Sequence, residues 1–210
     1  MIRRAALLLA LLAVVSTAFA QTPPRRTAIR AGRLIDGKGG APLANALIVI
    51  EGDRIVSVSA GGTPPPGAEV IDLSASTVLP GLIDTHTHIL LQGDITAADY
   101  DEQLLKQSIP YRAVLAARNA RLALEHGITT MRDLETEGAM YADVDVKTAI
   151  ERGEVPGSRM FVATRAMAPT GMYPLSGYSW ELDLPHGVQL VDGVDGVRLA
   201  VREQVSKGAD

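Results

Sequence analysis

Beyond Pro80, short apolar runs alternate with longer stretches of helical spacing, and this order restricts the fold of the 210-residue chain more than any other feature. The expected strands are Leu82 to Thr87, Ile128 to Leu134 and Met160 to Ala166. Tyr111 to His126, Val146 to Arg152 and Val194 to Lys207 carry helical signals, and Gly127 and Gly208 close the first and last of these. Strands separated by a helix pair in parallel through right-handed crossovers, because a hairpin connection is far shorter. The candidates are therefore a (β/α)8 barrel or a doubly wound sheet. No glycine-rich phosphate loop follows these strands, which counts against nucleotide folds. Three β/α units do not close a barrel of eight, so the barrel reading makes this chain part of one.

Residues 27–79 have a different rhythm. Short β runs (Ala28 to Leu34, Ala46 to Glu51, Arg54 to Ser59, Glu69 to Leu73, Thr77 to Leu79) are separated by turn-forming clusters such as Asp36 to Gly40 and Gly61 to Gly67. Ile48 to Ile50 and Arg54 to Val56 flank Glu51-Gly52-Asp53 and predict a β-hairpin. Upstream, residues 1–20 have the charged, apolar and small-residue order of an export leader, with Ala18-Phe19-Ala20 as the cleavage site. Its apolar run is shorter than the roughly 20 residues of a spanning helix, so no stable membrane insertion is expected after cleavage, and the protein is expected to be periplasmic or secreted. Residues 21–26 are read as a linker.

Composition removes several classes of function. The formal charge of −4, made more negative by loss of Arg3 and Arg4 with the leader, argues against nucleic acid as a partner. The absence of cysteine excludes disulfides, thiolate metal sites and a Cys nucleophile.

The chemistry concentrates in Leu79-Pro80-Gly81-Leu82-Ile83-Asp84-Thr85-His86-Thr87-His88. In an extended segment, period-two geometry puts Asp84, His86 and His88 on one face. Same-face neighbours stand about 7 Å apart at the backbone, a gap that two converging imidazoles span to reach one cation at about 2.0–2.1 Å. His-x-His alone is more often a pair of surface histidines. Here an apolar run precedes it, a Pro-Gly turn sets it off, and it lies where barrel sites lie, at the C-terminal end of a strand. Asp84 is assigned either to nearby backbone amides or to orienting an imidazole.

The run Val78 to His88 resembles the first-strand motif of the amidohydrolase superfamily. Ala31 to Gly37, the Ile48 to Val58 hairpin, Gly127 to Asp133 and Lys207 to Asp210 are similar to the branch of imidazolonepropionase-like proteins and Xaa-Pro or related dipeptidases. The resemblance implies a small N-terminal β-sandwich module (27–79) followed by the first three β/α units of a truncated (β/α)8 barrel (80–210). It further implies one or two divalent metals, zinc first, with His86 and His88 as the first ligands. In that family metal-activated water hydrolyses C–N bonds of small amides, dipeptides or cyclic amides. The family's fourth-strand lysine, two later histidines and eighth-strand aspartate are expected beyond Asp210, which leaves a catalytically inactive remnant as the alternative. An exported β-rich binding module is a third reading, and association into a homo-oligomer is left open.

Weaker candidates complete the reading. Arg165, Thr170 and Tyr173 follow the third barrel strand on the rim where substrate loops gather; Arg165 and Tyr173 are taken as substrate-binding candidates. Thr170-Gly171-Met172-Tyr173 departs from the Thr-Gly-Gly-His of related sequences. His126 is assigned to a helix end and His186 to a solvated loop. Asp99, Asp101 and Glu102 are read as an acidic entry ahead of the first helix, and Asp133, Glu135 and Glu137 as carboxylates more often solvated than functional.

Overall fold

The computed structural model describes residues 25–91 and 97–210, which form two compact units divided between Pro80 and Gly81. The expected leader and most of the expected linker lie outside the described residues. Arg26, placed in that linker, instead opens the first strand, and Arg25 beside it pairs with Glu69 at 2.5 Å.

The first unit contains β1 (Arg26–Leu34), β2 (Leu43–Glu51), β3 (Arg54–Ala60) and β4 (Glu69–Val78), in the order β3-β2-β1-β4. The β2–β3 hairpin turns where Gly52-Asp53 predicts it, with Glu51 opposite Arg54. β1 pairs antiparallel with β2 and parallel with β4. Its described residues make one four-stranded sheet, where a sandwich was expected. Alternation buries two small clusters: Ala31, Leu34, Ala46 and Ile48 in one, Ala28, Leu47 and Val49 in the other.

The two expected runs Glu69 to Leu73 and Thr77 to Leu79 are a single strand. The polar Ser74 to Ser76 stretch is a shift of register opposite Gly32, not a strand end. A Cβ at Gly32 would lie 2.1 Å from the Ser74 carbonyl oxygen, so this close approach requires glycine.

The second unit holds β5 (Leu82–Thr87), β6 (Ile128–Asp133) and β7 (Arg159–Val162), all parallel and adjacent in chain order. Its helices are α1 (Ala97–Lys106), α2 (Ile109–Glu125), α3 (Ala142–Glu151) and α4 (Gly193–Lys207). Ser108 caps α2 by accepting from the Tyr111 amide at 3.4 Å, and Gly208 ends α4 in the left-handed region at φ 110. The core joins Ile89, Leu90, Ala116, Met131, Ala139, Val146, Met160 and Val162.

Two expectations need correction here. Asp99, Asp101 and Glu102 do not precede the first helix but lie within α1, where Glu102 pairs with Lys106 at 3.5 Å and Asp101 accepts from the Tyr178 hydroxyl at 2.9 Å. Its acidic residues masked its helical spacing. The third barrel strand stops at Val162 rather than Ala166, because Thr164 takes a left-handed conformation, φ 66. The chain then forms β8 (Met167–Ala168), which pairs parallel with β9 (Gln189–Leu190). The Asp210 amide donates to the Val162 carbonyl at 2.9 Å, which places the last residue against β7.

Three buried polar side chains fix the strand exits. Arg112, 1% exposed, donates from Nε and Nη2 to the Leu90 carbonyl at 3.2 and 2.9 Å and from Nη2 to the Thr136 carbonyl at 3.1 Å. Asp133 Oδ1 accepts from the Ile89 amide at 2.8 Å, and Asp143 Oδ2 from the Thr164 amide at 2.9 Å. Burial is the leading cause that lifts the Asp133 carboxyl to about 7 and Asp143 to about 6.

Two outcomes follow for stability. Gly32→Ala should destabilise the first unit by about 1–3 kcal/mol, since the backbone oxygen of Ser74 must move to admit a methyl group; urea denaturation that leaves the midpoint unchanged would contradict this. Asp133 and Asp143 bind protons more tightly folded than unfolded, so their contribution is present below about pH 4 and is lost as the pH rises through about 6–7. The denaturation midpoint should therefore be higher near about pH 5 than near about pH 8. Asp133→Asn, which keeps an acceptor toward Ile89 and carries no charge, should shrink that difference.

Candidate metal centre

β5 is the edge strand of the parallel sheet and is largely exposed, and its register with β6 sets Leu82 opposite Ile128, Asp84 opposite Met131 and Thr87 opposite Asp133. At its exit the backbone is held tightly. The Thr87 hydroxyl donates to the Arg132 carbonyl at 3.0 Å, and the Leu134 amide donates to the Thr87 carbonyl at 3.0 Å. Asn119 Nδ2 donates to the Ile89 carbonyl at 2.9 Å, next to the Arg112 bonds on Leu90.

His86 and His88 emerge from this fixed exit with ring centroids 5.2 Å apart and planes inclined by 58°. His86 is exposed and His88 is partly buried. Asp84 Oδ1 accepts from the His86 amide at 3.1 Å, so of its two expected roles the backbone one is observed.

Two carboxylates that the sequence favours as solvated stand beside His88. Glu135 and Glu137 follow β6 and are 18% and 12% exposed at the side chain. His88 Nδ1 lies 3.9 Å from Glu135 Oε1 and 3.5 Å from Glu137 Oε1. One donor atom from each of the three residues lies within 4.8 Å of the others. Solvation is thus corrected for both: the β6 exit turns inward, and Glu137 holds φ 49, a conformation uncommon outside glycine. Burial first, then a hydrogen bond with Glu137 and its charge, pushes the Glu135 carboxyl well above the usual range. Asp133 is also fully buried rather than solvated, but it serves the backbone of Ile89.

Arg112 and Tyr100 complete the surroundings, and neither was singled out from the sequence. Burial is the leading cause for both, lowering the pKa of Arg112 and raising that of Tyr100; the Glu137 charge opposes it in Arg112 and reinforces it in Tyr100. A signal for Arg112 existed: with Ala116 and Ala120 it marks the buried stripe of α2 at four-residue spacing. Tyr100 packs so closely on Gly187 that a Cβ there would lie 1.6 Å from its hydroxyl oxygen, which ties the 169–188 loop to α1.

The remaining candidates make other contacts. Arg165 Nη2 donates to the Val188 carbonyl at 3.3 Å, which makes it part of the loop wall. The Thr170 amide and hydroxyl both bond the Asp192 carboxylate. Tyr173 is 60% exposed at φ 53. His126 Nδ1 lies 2.8 Å from the Leu122 carbonyl at the end of α2, and exposed His186 borders a cavity of about 230 Å³ with Tyr178 and Trp180.

The donors suit a divalent transition metal. His88, Glu135 and Glu137 offer one nitrogen and two oxygen donors without thiolate, the imidazole of His86 stands beside them, and His88 Nδ1 is enclosed without a hydrogen-bond partner.

Comparison with known proteins agrees with this architecture. Ochratoxinase of Aspergillus niger is 30% identical over 209 residues, covering 87% of this chain and 40% of that protein. An imidazolonepropionase of Streptomyces griseus is 36% identical over 77 residues, 35% of this chain and 19% of its own length. Among solved structures, a Xaa-Pro dipeptidase with methionine bound in its active site superposes with TM-score 0.73 and 31% identity, covering 88% of this chain and 45% of that one. The A. niger ochratoxinase structure gives TM-score 0.66 at 26% identity, over 90% and 46%. The chain thus spans less than half the length of these relatives. The model of the amidohydrolase family matches residues 77–210, and the chain belongs to that family.

Proposed function

We propose that this chain supplies the first metal ligands and part of the substrate rim of an exported, metal-dependent hydrolase of C–N bonds in a small amide, dipeptide or cyclic amide. The observation that carries the proposal is the pair of adjacent imidazoles on one braced strand exit, His86 and His88, with ring centroids 5.2 Å apart. The family supports amide hydrolysis, and its relatives include a Xaa-Pro dipeptidase and an ochratoxinase.

His86 and His88 would hold the ion as neutral imidazole donors. A divalent ion held there would supply Lewis acidity toward a bound water and a substrate carbonyl. The protein's own contribution is preorganisation. Arg112, Asp133 and Asn119 grip the backbone at Leu90 and Ile89, so the ligands do not have to be ordered when the ion arrives. Exposed Tyr173 remains the rim residue proposed to meet substrate, whereas Arg165 acts through the loop it anchors.

Zinc binding by the purified chain, measured by equilibrium dialysis with metal analysis, should be lost in His86→Ala and in His88→Ala. Chelation should abolish amide or dipeptide hydrolysis by the protein that carries this segment together with the rest of the barrel. Unchanged zinc stoichiometry in both variants would reject the site.

A further inference from the structure

His88 differs from exposed His86 in having one ring nitrogen buried and without a hydrogen-bond partner. Its Nδ1 is enclosed by protein, while the side chain as a whole keeps 24% exposure, so that exposure lies on other atoms of the residue. Facing Nδ1 are Glu137 Oε1 at 3.5 Å and Glu135 Oε1 at 3.9 Å. A neutral imidazole carries a proton on one nitrogen and a lone pair on the other. A lone pair at Nδ1 would point at two carboxyl groups, whereas an N–H there is attracted to them.

Glu137 is a fixed acceptor. It lies between Thr136, whose carbonyl Arg112 grips at 3.1 Å and whose amide donates to Thr164 at 2.8 Å, and a left-handed Gly138. Its own left-handed backbone, φ 49, sets the direction of the side chain. An ion on the Nδ1 side would be bound by His88, Glu135 and Glu137 in an enclosed space, without the open position that a catalytic site keeps for water and substrate. An ion on the Nε2 side is at the opposite end of the ring. Metal-bound histidines commonly donate their other N–H to a carboxylate, which fixes the ring and raises its basicity.

We propose that Glu137, backed by Glu135, is a positioning residue that holds the proton of His88 on Nδ1 and leaves Nε2 as the nitrogen offered to a divalent cation. The distance of 3.5 Å is long for a hydrogen bond and closes when the ring is drawn into its bound position. The metal-binding part rests on the two-histidine site proposed above; the position of the proton does not.

Long-range proton–nitrogen NMR of the chain with labelled histidine tests both parts, with His86→Ala used for assignment. Without metal, His88 should be in the Nδ1–H form, and added zinc should shift Nε2 while Nδ1 keeps its proton. Glu137→Leu should move the population toward Nε2–H and weaken zinc binding about 10–100-fold. Glu137→Gln, which keeps an acceptor oxygen, should restore most of the Nδ1–H form. An Nε2–H His88 in the unmutated metal-free chain overturns the proposal, as does zinc bound at Nδ1. Failure of the unmutated chain to bind zinc, with the Nδ1–H form present, rejects the metal site and the positioning role while upholding the hydrogen bond.

Discussion

One buried guanidinium organises the second unit. Arg112 reaches from α2 to the carbonyl of Leu90, just past the histidine strand, and to that of Thr136, between the two glutamates. The exits of β5 and β6 are thereby held at one spacing. Burying such a charge is costly unless it is hydrogen-bonded and balanced, and here three donor contacts and the Glu137 charge do both. Removing the guanidinium would leave the carbonyls of Leu90 and Thr136 without these donors, at a cost of about 1–3 kcal/mol for each buried group left unsatisfied. The same side chain therefore carries stability and the shape of the site.

Around that strut, carboxylates do backbone work that is ordinarily left to the sheet. Asp133 satisfies the amide of Ile89, and Asp143 those of Thr164 and Val144, at points where the strands have ended. Their burial favours the protonated form, so the stability they contribute falls as the pH rises through about 6–7. Strain collects at the same exits, since Glu137, Met140 and Thr164 all have positive φ. Such features persist where surrounding contacts overdetermine the backbone, as the Arg112 and Asp143 bonds do here.

Family membership and local geometry bear on different questions. The match to the amidohydrolase family assigns the type of scaffold and the class of chemistry, while the relatives' names differ in substrate. Variation of that sort belongs to rim loops. In this chain the 169–188 loop, with exposed Trp180 and Tyr173 and with Gly187 pressed against Tyr100, is the segment that differs in kind from the braced histidine exit.

Local order was legible in the residues: the β5 segment from Leu82, the hairpin about Gly52, the stop at Gly208 and the parallel β/α rhythm after Pro80 all depend on periodicity and turn chemistry between near neighbours. The nearness of His86 and His88 was legible for the same reason, as alternate residues of an extended segment lie close, although β5 itself ends at Thr87 and His88 stands just past it. What surrounds them was not. Glu135 and Glu137 look like solvated carboxylates 47 and 49 positions beyond His88, and only the parallel register of β5 with β6 brings them to its Nδ1. The break of β7 at Thr164 likewise depends on Asp143 and Gln204, residues 21 and 40 positions away. Periodicity reports which face a side chain takes; which partner waits on that face is decided by strands and helices that meet only after folding.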